Sequence, residues 1–268
     1  MIALLLLAGC GGAPAASPSP TSTTASSTSL APPSSLPAPV SAGTSIAGTQ
    51  ATAPTKVVVL DPGHNGGNAS HPGEINAQVP AGRGRMKPCN TTGTATNAGY
   101  PEHAFTWDVA VRVRDLLAAK GVQVVMTRQD DTGVGPCVDK RAAIGNDSGA
   151  AAVVSIHADG STNPTAHGFH VAYSSPPLND AQGQPSMNLA TTLRDAMVSG
   201  GFPTSTYIGS AGLSPRDDLG GLNLSERPAV LVECGNMRNA TEAAAFSSPD
   251  GRASYAAAIA AGILAYLG

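Results

Sequence analysis

The sequence predicts an α/β protein, a three-layer α/β/α arrangement around a mainly parallel, twisted central sheet of about six strands. Three observations carry that expectation. Short apolar runs recur at 57–60 (VVVL), 151–156 (AAVVSI) and 228–232 (PAVLV), as in strands buried on both faces. Segments of helical period stand between them, which favours parallel pairing with helices on both sides. Each run stops at a polar or ionisable residue, Asp61, His157 and Glu233, and ligand sites of open α/β sheets gather beyond the carboxyl ends of strands.

Residues 57–60 form the first strand. Residues 65–100 are expected to be a long Gly- and Pro-rich loop, a length that is unusual unless the loop is functional or stapled. Residues 102–119 form a helix, because Phe105, Val109, Val113, Leu116 and Leu117 share one stripe. Pro101 suits its first turn and Gly121 its stop. A second strand covers 122–127, a short helix 138–146, a third strand 151–156 and an alternating fourth strand 168–174. A helix at 186–198, a strand at 228–232 and an alanine-rich helix at 255–267 complete the chain. These elements fall within one domain, 56–268.

Residues 1–10 read as an export signal: MIALLLLAG is apolar, too short to span a bilayer, and ends at Cys10. LAGC resembles a bacterial lipobox, which makes lipid on Cys10 the expected membrane contact. Ala13-Pro14-Ala15 offers an alternative cleavage site and a soluble secreted product. Residues 11–55 are Ser, Thr, Ala, Pro and Gly almost throughout and read as a disordered tether. The expected location is the outer face of the cytoplasmic membrane, the periplasm or the cell wall.

Formal charge is -3 and charged residues make up only 12%, with no basic stripe, so nucleic acid and anionic membrane surfaces are not expected partners. A monomer is expected, since no exposed apolar stripe stands out. Export permits disulfides. Cys89 and Cys137 both lie in Pro/Gly-rich loops and are expected to bridge, while Cys234 ends an apolar strand and reads as a buried thiol.

His64 follows the first strand in VVVLDPGHNGG, His157 ends the third in VVSIHADG, and Glu233 ends a late strand in VLVECGN. Glu102 leads its helix's apolar stripe and so faces inward, where a carboxylate is costly unless something positive meets it. His64, Glu102 and His157 make the His₂Glu set of catalytic zinc, and the glycines beside His64 allow close approach. Each residue alone also has a plainer role. The histidines can serve as turn or loop-capping residues, Glu102 can answer the helix dipole, and Glu233 can pair with Arg238 or Arg141.

Together these stretches, with Thr127-Arg128, Arg141 and Asn146, and VLVECGNMRN, resemble the zinc-dependent N-acetylmuramoyl-L-alanine amidases of bacterial cell walls, most closely the mycobacterial single-domain type. The resemblance runs from about Lys56 to the C-terminus. It implies Zn²⁺ on His64, Glu102 and His157, and Glu233 in catalysis. It also implies peptidoglycan or muropeptide as substrate, cut between N-acetylmuramic acid and L-alanine. The family places its ligand glutamate nearer the first histidine, which makes Glu74 a rival to Glu102. PEHAFTWDVA nevertheless matches the helix start that carries the ligand. Asp159 stands where Asn is common, and Cys234 where an aliphatic residue is usual. Asp61 is expected either to orient a ligand or to shape its turn. Arg128 and Arg141 are expected either to bind a peptide carboxylate or to pair with Asp130, Asp131 or Asp139. Another zinc-dependent peptidoglycan peptidase, a non-catalytic wall-binding relative and a solute-binding lipoprotein stand as alternatives.

Overall fold

A computed structural model describes residues 56–163 and 165–268. The expected export signal with Cys10 and the expected tether lie outside the described residues. The described chain runs β1 (Val57–Pro62), α1 (Pro72–Ile75), β2 (Gln78–Pro80), β3 (Met86–Pro88), α2 (Glu102–Ala118), β4 (Gln123–Met126), α3 (Val138–Asp147) and β5 (Ala152–Asp159). It continues through β6 (His170–Ser174), α4 (Gln184–Ser199), β7 (Leu213–Arg216), α5 (Gly220–Asn223), β8 (Ala229–Asn236), α6 (Ala240–Ser247) and α7 (Pro249–Leu267).

The central sheet has six strands in the order β4-β1-β5-β8-β6-β7. All neighbours pair in parallel except β6 and β8, which are antiparallel. Helices cover both faces, so the expected three-layer architecture is observed.

Strand periodicity divides the sheet into a thick and a thin side. Val58, Leu60, Val154, Val230 and Val232 face a large core with Phe105, Leu193 and Ile259 from α2, α4 and α7. Val59, Val153, Ala172 and Ala229 face a smaller cluster with Leu222 of α5 and Ile144 of α3. Counting two residues on along β1, β5 and β8, and two back along β6, puts Asp61, Ser155, His157, Glu233 and His170 on this thin side.

The structure departs from the sequence reading in several places. Residues 65–100 are not a bare loop. They hold a 3₁₀ turn, α1 and the β2–β3 hairpin. Arg83 Nε donates to Asn223 at 3.0 Å and Arg85 Nη2 to Asp217 at 2.9 Å, while the expected Cys89–Cys137 disulfide ties the segment to the start of α3. Elements of three or four residues leave no periodicity to detect. β7 carries no strand signal in the sequence, because LSPR contains a proline, tolerated here at the sheet edge. β5 and β8 run on through Asp159 and Asn236, so His157 and Glu233 lie within strands. Pro101 caps α2 in extended conformation instead of entering its first turn. α7 begins at Pro249, six residues before the expected start at 255, capped by Ser248 accepting from Gly251 N.

Candidate metal centre

The turn after β1 presents the first imidazole. Gly63 N donates to Ile156 O at 2.9 Å and so continues the sheet ladder. His64 then takes φ 60°, a left-handed conformation costing a non-glycine residue about 1–2 kcal/mol and typical of functional sites. Its Nδ1 lies 3.0 Å from the Thr91 carbonyl, which directs Nε2 toward Glu102 Oε1 at 3.2 Å. Glu102, 4% exposed, opens α2 over the strand ends. Its Oε2 accepts from Thr94 N at 2.9 Å, while Oε1 accepts from Ala158 N at 3.1 Å and lies 3.0 Å from His157 Nδ1. The two imidazoles meet edge to face, with centroids 4.9 Å apart.

One ligand atom from each of His64, Glu102 and His157 lies within 4.8 Å of the others. Two imidazoles and a carboxylate are the donor set of a catalytic zinc site with a position left open. The backbone is cut to fit it. A Cβ on Gly63 would sit 2.2 Å from the His157 ring, and one on Gly93 would sit 2.8 Å from both Glu102 Oε2 and the His64 ring. The rival Glu74 is exposed on α1 and outside this cluster.

The electrostatics suit a cation. Burial works against charge on Glu102, but the facing imidazoles of His64 and His157 hold its carboxyl well below the usual range. Burial lowers the His64 imidazole, and the Glu102 carboxylate more than reverses this. Glu233 differs. Burial pushes its carboxyl well above the usual range, and the charges of Asp159 and Glu102 push the same way. Its Oε2 is buried without a partner. Sheet register sets it directly beside His157.

These groups line a cleft of about 460 Å³ on the thin side of the sheet. His64, Glu102, His157 and Glu233 line it together with apolar Val138, Leu219 and Leu222. Arg128 and Arg141 are both buried and committed to the turn carrying His64. Arg128 donates to Pro62 O at 3.0 Å and Asp131 at 2.9 Å; Arg141 donates to His64 O at 2.9 Å and Asp61 at 2.8 Å. This is the pairing alternative, except that Asp61, not foreseen as a partner, receives Arg141. Asp61 also accepts from Thr127 and Ser155, so it braces the turn without touching the three-residue set.

Residues 58–265 match the model of a family described as N-acetylmuramoyl-L-alanine amidase. The chain belongs to that family. It is 46% identical over 223 residues to N-acetylmuramoyl-L-alanine amidase Rv3717 of Mycobacterium tuberculosis, covering 83% of this chain and 91% of the relative. The crystal structure of the N-acetylmuramyl-L-alanine amidase Ami1 from Mycobacterium smegmatis superposes with TM-score 0.77 and 54% identity, over 80% of this chain and 97% of that one. Amidase AmiC2 of Nostoc punctiforme, at 28% identity, gives TM-score 0.60 over 79% and 97%.

Beyond the residues singled out from the sequence, this amidase sets Tyr207 behind Asp159, which lines the cleft, and His170 beside Glu233 in the sheet register. Tyr207 donates its hydroxyl to Asp159 at 3.0 Å. Alternation in HVAYS assigns His170 to a face, but the strand beside it is not deducible without the topology.

Proposed function

We propose that this amidase is a zinc hydrolase that cleaves the amide between the lactyl carbonyl of N-acetylmuramic acid and the amine of L-alanine in peptidoglycan or its fragments. The observation that carries the reading is the convergence of His64, Glu102 and His157 beside Glu233. His64, Glu102 and His157 hold the ion. Zinc supplies Lewis acidity toward a carbonyl and makes water acidic enough, with pKa about 7, to attack at neutral pH.

Glu233 accepts the proton from the attacking water and delivers it to the departing amine. Such proton transfer contributes about 10²–10⁴-fold. Asp61, Arg128 and Arg141 hold the His64 turn in place. The apolar lining of the cleft, with Val138, Leu219 and Leu222, meets uncharged parts of the substrate.

Such a substrate places the chain outside the cytoplasm. Among the described residues no helix is long and apolar enough to cross a membrane. The reading includes export through residues 1–10, a tether over 11–55, and either lipid on Cys10 or a soluble secreted product. Mass spectrometry of products from a defined muropeptide, with and without chelator, is the test. The expected product is a whole stem peptide bearing a free L-alanine amine, formed only with zinc. A cut inside the stem would make the chain a peptidase, and chelator-resistant cleavage would remove the metal from the reaction.

A further inference from the structure

Among the described residues, the acids Asp61, Glu102, Asp159 and Glu233 line the cleft, and so do the lasting cations Lys87 and Arg141. Arg141 is committed to Asp61 and to the carbonyls of Pro62 and His64. Lys87 stands in the middle of β3, between exposed Met86 and exposed Pro88, and is itself half-buried. Strand alternation turns it away from both of them, to the side of Val79, its partner across the hairpin. Lysine ordinarily favours the open surface. Here its side chain lies against the cleft wall and stays 41% exposed.

The neighbours leave its charge uncompensated. The hairpin meets the stretch that holds Arg216, Asp217 and Asp218. Asp217 is taken by Arg85 at 2.9 Å. Asp218 is gripped by Arg216 through two bonds, at 2.7 and 2.8 Å. Lys87 Nζ donates to the neutral Asp218 carbonyl, and the Asp218 carboxylate is 3.9 Å away. A carboxylate already held bidentately gives little to a further cation at that range. An ammonium has three donors, and the carbonyl uses one. The position along the chain sets the reach. Thr91, whose carbonyl faces His64 Nδ1, is four residues past Lys87, no more than about 13 Å of extended chain. An extended peptide crosses that span in about four residues.

We propose that Lys87 is a specificity residue: its ammonium binds a carboxylate of the stem peptide, within about four residues of the scissile amide. Among the described residues lining the cleft, no other lasting cation is free to meet that carboxylate, so the contact also fixes the direction in which the peptide lies. The inference rests on the muropeptide reading of the site.

The test uses the full chain loaded with zinc and two muropeptides that differ only in whether the stem carboxylates are free or are carboxamides. The parent should prefer the acid by about tenfold in kcat/KM, chiefly through KM, the scale of a charge-assisted hydrogen bond in a partly exposed site. Lys87→Met and Lys87→Gln remove the charge and should bring that ratio to within about twofold of one. A purely structural role would slow both substrates alike and leave the ratio intact. Calorimetric titration of the free stem peptide, as acid and as amide, reads the same preference without turnover. A parent ratio below about twofold, or a ratio that survives in the variants, overturns the proposal. If neither variant folds, the parent's titration decides, and equal affinity for acid and amide overturns it. If the parent releases no product from either muropeptide, the amidase reading fails instead, and the titration still judges Lys87.

Discussion

Arg141 Nη1 donates to Asp61 Oδ1 at 2.8 Å, beneath the turn that carries His64. Burial alone would raise the Asp61 carboxyl, but Arg141, Thr127 and Ser155 hold it at about 2. A depressed carboxylate stabilises the fold fully above its unfolded value of 3.8 and loses that contribution as pH falls through about 2. The contribution near neutral pH is on the order of 2 kcal/mol. Denaturant unfolding of the parent should therefore weaken steeply below pH 4, and Asp61→Asn should flatten that part of the profile. An unchanged profile in the variant would discount the pair.

Glu102→Ala should lose zinc, because the carboxylate that organises both imidazoles is gone. Glu74→Ala should bind zinc normally. Elemental analysis of the purified variants distinguishes them, and the opposite pattern would reassign the third ligand.

Glu233→Gln should keep zinc and fold while hydrolysis falls by about 10²–10⁴-fold. Full activity in this variant would remove Glu233 from the mechanism.

Gly63→Ala places a methyl group where the His157 ring stands, 2.2 Å from its nearest atom. The ring has to leave its seat, so zinc affinity should drop by at least about tenfold, the scale set by loss of ligand orientation. Isothermal titration with zinc reads this directly, and an unaltered affinity would mean that the backbone gives way instead.

The Cys89–Cys137 bridge spans 48 residues in sequence. In the chain-entropy model a loop of that size stabilises by about 4 kcal/mol. The segment it anchors includes Thr91, whose carbonyl faces His64 Nδ1. Reduction, or Cys89→Ser with Cys137→Ser, should lower both the unfolding midpoint and zinc affinity. A fall in stability alone would uncouple the staple from the metal.

The sheet and the candidate site residues are legible in the sequence for different reasons. β1, β5 and β8 are central and buried on both faces, so they advertise themselves as apolar runs, and their ends mark His64, His157 and Glu233. Glu102 was legible from helical phase, since it leads the stripe of Phe105 and Val109. The hairpin β2–β3 and edge strand β7 were not, because elements this short are fixed by partners such as Asn223 and Asp217, far away in the chain. The roles of Arg128 and Arg141 stayed ambiguous for a similar reason. Their carbonyl acceptors, Pro62, Gly63 and His64, have no side-chain signature.

The reversal of β6, and of β7 beside it, has a consequence for how such an enzyme can change. Because β6 runs against β8, the chain leaves β5 and enters β6 at the same rim, without a crossover beneath the sheet. Extra residues inserted between Asp159 and His170 would enlarge the mouth of the enzyme while leaving the ladder untouched. The reach toward bulkier or more cross-linked wall material can therefore be altered by lineage or by engineer independently of the His64, Glu102 and His157 set.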